Sequence, residues 1–454
     1  MADKVPPAIP GDSFRLSRPG VRGMLALHMD TRRRWYIATG LVIVALILAT
    51  DPFTLLNAAF RRPIPVPPAS AIDGAANVVA ETGKPGAEYL VSGFEDAPVL
   101  FLGEFPQIAD HPRFLADSLP ALAEAGIRRV ALEQLRSADQ REIDALLLPG
   151  SAAEGGSGAP AGESDSPRFD TEGAERLLFR RDVTWGFREY RDILEAAWSY
   201  NREHPEAPIR ILGLSVGREP GESAEAHELR LEAHMAGVLA EFLGDRDTAA
   251  RLLVYVSARR AIPGVPDLAF RQAAEAGMPE GVAWPRDRSG GSGEPRRLGV
   301  WAREELPLAT RSVLLHAPWP AADARYGMEY PATALIDHAV FSTTKGVNPE
   351  LPWGFHVRDS VLDGTMVNPL GLRPETESAS FSDLTDGYLV VSKLGELEAA
   401  TPIPDFVPAD AEAQALERYP GDLPDSATAD DMNNYIARTS ENLGKILESF
   451  RDVD

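Results

Sequence analysis

The sequence predicts an α/β domain built on a mostly parallel sheet with helices on both faces, preceded by one N-terminal transmembrane helix. Three observations lead there. Short apolar runs such as VLFL (residues 99–102), IRILGL (209–214) and RLLVYVSA (251–258) alternate with longer segments of helical periodicity, the rhythm of a parallel sheet wrapped by helices. The runs are apolar at successive positions, as strands covered on both faces are. An uncharged run of sixteen residues, 35–50, follows directly on Arg32-Arg33-Arg34.

The N-terminal segment comes first. Residues 1–34 carry seven basic side chains against three acids, whereas the whole chain of 454 residues has a net charge of -23. A basic tail before an apolar run, with Trp35 and Tyr36 at the junction, places a cytoplasmic tail at 1–31, an anchor at 32–52 and the main domain outside the cytoplasm. Sixteen helical residues span roughly 24 Å, slightly short of a ~30 Å hydrocarbon core. A cleaved signal peptide and a buried core helix are the competing readings. Against the first stand the long basic region and Asp51-Pro52, with no clear cleavage site. A proline-rich linker is expected over 53–87, on the strength of RRPIPVPPAS. The domain should then run over 88–454, with low-complexity surface inserts at 150–167 and 286–297.

Within the domain the elements follow in order. After the strand at 99–102, residues 112–126 form a helix whose stripe is Phe114, Leu115, Leu119, Leu122 and Ala123, kinked or restarted at Pro120. A strand at 128–135 leads to a helix at 137–147 with Ser137 as its cap, and a helix at 184–200 leads to the strand at 209–214. A helix at 223–244, with Leu231, Met235, Val238 and Phe242 inward, precedes the strand at 251–258; later strands are expected at 311–317 and 386–392.

Ligands of such sheets bind at the carboxyl ends of the strands. Those ends carry Glu104, Glu133 and Ser215, then Ser257, Arg259 and Arg260, then His316. Two carboxylates at neighbouring strand ends suit an acid/base pair, a metal or a cation, or else helix caps and arginine pairs. GLSVG, residues 213–217, fits G-x-S-x-G after a strand, which would make Ser215 a nucleophile with Asp337 and His338 or His356 downstream. Arg218-Glu219-Pro220-Gly221 interrupts the helix such a turn requires. His227 and His234 are seven residues apart, not the four that chelate a metal on one helix. His111 is the best-placed histidine near Glu104. Cysteine is absent, which removes thiol nucleophiles and Cys-metal sites, and the acidity argues against nucleic acid.

The ordered text LGEFPQIADHPRFLADSLPALAEAGIRRVALEQLRSADQREIDALL, followed by TWGFREYRDILEAAW, IRILGL, ELRLEAHMAGVLAEFL and LLVYVSARRA, resembles the superfamily that joins ChaN-type haem-binding proteins, Tiki metalloproteases and erythromycin-esterase-like hydrolases. The resemblance covers about residues 97–262. It maps the acidic positions onto Glu104 and Glu133 and a helix arginine onto Arg230. The histidines of that superfamily fall on Pro106 or Gln107 and on Arg259 or Arg260, and an acid falls on Ser215. The resemblance therefore implies a degenerate member that binds a haem- or anion-type small molecule through Glu104, His111, Glu133, Arg230 and Arg260, with no metal held. A hydrolase using Glu104 and Glu133, with His111 standing in for the lost histidine, or using Ser215, is the alternative. A scaffold whose inserts and linker meet partner proteins is a third reading.

Overall fold

The computed structural model describes residues 63–148, 168–219, 221–244, 251–265, 267–276, 284–285, 295–320, 327–368, 379–418, 426–450 and 452–453. The expected anchor at 32–52, the basic tail and the insert at 150–167 lie outside them. Among the described residues no helix is long and apolar enough to cross a membrane.

Eight strands make the central sheet: β1 (Lys84–Pro85), β2 (Val99–Glu104), β3 (Arg129–Arg136), β4 (Arg210–Ser215), β5 (Leu252–Ser257), β6 (Thr310–Leu315), β7 (Trp353–His356) and β8 (Gly387–Val390). Their order is β1-β7-β8-β6-β2-β5-β3-β4. The six from β8 to β4 are parallel, and β7 and β1 add an antiparallel margin. All six residues of β2 and of β5 are buried. Side chains alternate between two cores: Val99 and Phe101 belong to one, Leu100 and Leu102 to the other. This is why the strands read as unbroken apolar runs.

Helices cover both faces. One core takes α1 (Ala69–Thr82), α7 (Ala224–Gly244), α10 (Leu298–Glu305) and α11 (Leu335–Phe341). The other takes α2 (Gly86–Asp96), α3 (Asp110–Glu124), α4 (Gln140–Leu147), α5 (Thr171–Arg181) and α6 (Arg188–Glu203), with α14 (Ala429–Leu447) at the end of the chain. Of the remaining helices, α8 is Ala258–Ala261, α9 Leu268–Ala276, α12 Phe381–Leu384 and α13 Glu412–Arg418.

Several expectations need correction. The linker does not reach 87: α1 and α2 are part of the folded body, with Val79 and Leu90 fully buried. Their alanines and glycines look like spacer until the Ile72, Val78 and Val79 stripe is placed against α11 and β7. Helix α3 continues through Pro120 to Glu124, so no second helix starts there. The helix expected from 184 begins at Arg188, because Gly186 and Phe187 leave helical geometry after a short turn. The insert expected over 286–297 ends inside the protein, since Arg297 is only 6% exposed and precedes α10. Of the inward residues expected on α7, Leu231 and Met235 are fully buried, and Val238 and Phe242 pack partly buried at the core margin.

Strand β4 is an edge, and a side chain protects it. Gln140 donates from Nε2 to the Ile211 carbonyl (2.9 Å) and accepts at Oε1 from the Gly213 N–H (3.0 Å), pairing strand groups as another strand would.

Gly103 sets the site. A Cβ there would lie 2.5 Å from Leu314 Cδ2, 2.9 Å from Ala261 Cβ and 3.1 Å from the Ala258 backbone, so its absence lets β6 and α8 close on β2. Gly103→Ala should lower the unfolding free energy by about 1–3 kcal/mol, the usual cost of overpacking. Urea titration checks this, and an unchanged midpoint would show that the contact yields freely.

Candidate functional site

The register places Glu104 beside Ser257 at the ends of β2 and β5. Glu104 shares the parity of Leu100 and Leu102 and faces the α6 side. Its carboxyl is fully buried. Oε2 accepts from the hydroxyls of Tyr255 (2.6 Å) and Tyr190 (3.1 Å), and Oε1 accepts from Gln134 Nε2 (2.6 Å). Burial pushes its pKa up to about 8; the Tyr255 hydrogen bond opposes the rise and the nearby Glu133 charge adds to it. The buried Gln134 Oε1 has no partner among the described residues. Turning that amide over lets it accept from a protonated Glu104, which agrees with the raised pKa.

Glu133 belongs to a different network. Ordinary alternation along β3 separates it from Gln134: Glu133 follows Ala131 to the α7 side, and Gln134 follows Leu132 to the α6 side. Its Oε2 accepts from the Ser257 N–H (2.8 Å), and its Oε1 lies 2.9 Å from Arg260 Nη1. Arg260, on α8, also donates to Ser257 Oγ (2.9 Å) and to Glu228 Oε2 (2.6 Å), with Glu232 Oε1 at 3.4 Å from its Nε. Arg297 completes the lattice, bonding Glu228, Glu232 (2.9 Å) and Asp267 (2.8 Å) and stacking 4.4 Å over Phe270. Burial works to raise the Glu228 pKa, but Arg260 and Arg297 overcome it and hold the group down to about 2. Fully buried Glu232 is held above its ordinary value by desolvation despite the same two arginines.

Above these strand ends lies a cavity of about 310 Å³. Glu104, Ser257, Arg259 and Arg260 give its polar part; Phe105, Ile108, Pro318, Met328, Leu443 and Ile446 make most of the wall. Arg259 is half exposed and, among the described residues, makes one bond, to Asp267 (3.2 Å).

The other expected site residues fall elsewhere. His111 is fully buried; its Nδ1 accepts from the Phe105 N–H (3.1 Å) and its Nε2 donates to the His316 carbonyl (3.2 Å). Both ring nitrogens are occupied, and burial lowers its pKa to about 4. Arg230 does not join the strand-end groups; its Nε and Nη2 grip Glu222 (2.7 Å each), and Nη2 also donates to the Gly217 carbonyl. Ser215 is fully buried and its hydroxyl donates to the Glu133 carbonyl rather than to a histidine. In the same motif a Cβ on Gly213 would sit 2.3 Å from the Arg136 carbonyl, which accounts for that glycine without chemistry. Asp337 meets His316 (3.3 Å) rather than His338, whose Nε2 bonds the Pro65 carbonyl (3.0 Å). Pro106 and Gln107, where a histidine was expected, form a turn in which Gln107 takes φ +70°, a type II pairing. Among the described residues no group of three or more His, Asp or Glu side chains is placed to hold a metal.

Sequence reasoning missed Tyr190, Tyr255, Arg297 and Asp267. It also missed Glu228 and Glu232, although their i, i+4 spacing on α7 put them on one face.

No family model matches the chain, and no curated protein matches it. Among solved structures, a succinoglycan biosynthesis protein is similar at 10% identity over 74% of this chain and all of its own length (TM-score 0.42). A Bacillus cereus protein is similar at 10% over 73% and 99% (TM-score 0.40). The haem-binding ChaN of Campylobacter jejuni is similar at 14% over 50% and 85% (TM-score 0.29). These are low-identity resemblances of fold, and the site is read from its own residues.

Two consequences are measurable. Arg260→Met should cost about 3–5 kcal/mol, the range for removing one partner of a buried pair, and less at acid pH, where the stranded carboxylates can take protons. Denaturant titrations at neutral and acid pH test it; a small, pH-independent loss would mean the lattice contributes little. Glu104 folded keeps its proton to about pH 8 but unfolded releases it near 4.5. Its contribution is therefore complete below 4.5 and lost as pH rises to 8. His111 works in the other direction, losing its contribution as pH falls from 6.5 to about 4. The Glu104 slope, up to about 1.4 kcal/mol per pH unit, should thus show between 6.5 and 8 and vanish in Glu104→Gln.

Proposed function

We propose that the strand-end cavity binds a small, largely apolar molecule with an anionic end, without metal-dependent hydrolysis. The observation that carries this reading is the cavity itself. Apolar walls from Phe105, Ile108, Leu443 and Ile446 meet a polar end where Arg259 keeps N–H groups available. A neutral Glu104 adds no repulsion to an anion there. Its volume of about 310 Å³ falls at the small end of ligand pockets.

Haem is named for the ChaN structure, but the donors here do not fit its iron. The His111 nitrogens are both used, and the Tyr190 and Tyr255 hydroxyls are committed to Glu104. The uncharged run at 35–50 behind three arginines supports a membrane-anchored chain whose domain lies outside the cytoplasm. A hydrolase is the second reading, favoured by the raised pKa of Glu104, which suits a general acid at neutral pH.

Calorimetric titration with decanoate tests the binding reading. Arg259→Ala should weaken binding about ten-fold, the loss of one charged hydrogen bond, and Ile446→Trp, which fills the cavity, should abolish it. Binding untouched by Ile446→Trp, or no binding of decanoate, would sink the proposal. Chelator-resistant turnover of an ester or peptide panel, lost in Glu104→Gln, would instead establish the hydrolase.

A further inference from the structure

A second constellation lies away from the strand ends. Ser137 opens the short turn Ser137–Asp139 after β3, where a serine would be expected to cap the following helix. It makes no such bond; its Oγ lies 2.7 Å from Nε2 of His234 on α7. Both side chains line a cavity of about 480 Å³, together with Ala138, Leu212, Val238 and Phe242. Ser137 is partly exposed, unlike the sealed Ser215. Arg210 reaches the same cavity, but Asp144 already holds it (3.0 Å), and Glu241 beside it disfavours anionic substrates.

We propose that Ser137 and His234 form a nucleophile–base pair that cleaves small uncharged acyl esters in this cavity. A serine within hydrogen-bond reach of a histidine is the geometry such catalysis uses. Ser137 Oγ adds to the ester carbonyl carbon as its proton passes to His234 Nε2. The C–O bond to the alcohol then breaks, and the alcohol leaves with that proton. Water attacks the acyl-serine, gives a proton to His234, and releases the carboxylic acid as the serine recovers it. In serine hydrolases the N–H of the residue after the nucleophile serves the oxyanion, and here that residue is Ala138. Burial and the Arg230 charge lower the His234 pKa, leaving the ring neutral and able to accept the proton at pH 7.

The test uses the full chain, a fluorophosphonate probe with peptide mapping, and p-nitrophenyl butyrate. The probe should label Ser137 and not Ser215. Labelling and hydrolysis should disappear in Ser137→Ala, fall at least ten-fold in His234→Gln, and rise with pH through a midpoint below the ordinary histidine value of about 6.5. Should His234→Gln fail to fold by circular dichroism, His234→Asn carries the same comparison. An unlabelled Ser137, or a rate indifferent to replacement of His234, would overturn the proposal. Neither outcome touches decanoate binding at the strand ends, so the two readings fail separately.

Discussion

The guanidinium of Arg260 is the point on which the strand ends depend. It touches carboxylates from β3 and from two turns of α7, and it is almost wholly removed from water. Stripping hydration from a cation costs several kcal/mol, which a single carboxylate seldom offsets. Three carboxylates do so only if β3, β5 and α7 hold one mutual register. The arrangement is therefore intolerant of small shifts, and it ties a helix to the sheet through charge. Arg297 binds the same Glu228 and Glu232 and brings in Asp267, extending the constraint to the chain before α10. Full burial holds Glu232 above its ordinary pKa, whereas at Glu228 the pull of Arg260 and Arg297 overcomes burial and holds the group below it.

Glu104 behaves differently although it arrives on the neighbouring strand end. It faces two tyrosines and a glutamine, with no cation among its hydrogen-bond partners. Burial then decides its charge, and it stays protonated near neutrality. An ionised group there would attract water or a counterion. A neutral one leaves a cavity that apolar walls can line, with the half-exposed Arg259 at its edge. The two carboxylates thus divide the work: Glu133 organises the frame, and Glu104 sets the polarity of the cavity.

Gln107, Arg259 and Arg260, where histidines were expected, and Ser215, where an acid was, all bond to neighbouring groups of the protein. Pro106 and Gln107 form a tight turn whose peptide N–H bonds Tyr190 and whose carbonyl accepts from Ala400. Arg259 and Arg260 enter the ion lattice. Ser215 ties the end of β4 to β3 through the Glu133 carbonyl. Each of these four residues is committed to hydrogen bonds or ion pairs that hold the strand ends together.

The sequence by itself determined the parallel sheet, the covering of both faces and the delivery of Glu104, Glu133 and Arg260 to one end. Those follow from local pattern: apolar runs without alternation make doubly buried strands, and strand ends are where such chains expose function. It did not reveal that Glu104 and Glu133 enter separate networks, because the face each side chain meets depends on how β2 and β3 align within the sheet and on which helices cover them. It could not place Arg230 against Glu222, seal Ser215 under β3, or occupy both nitrogens of His111. It did not join Ser137 to His234, which are far apart in the chain. These outcomes depend on which distant groups share a few ångströms, and packing alone sets that distance.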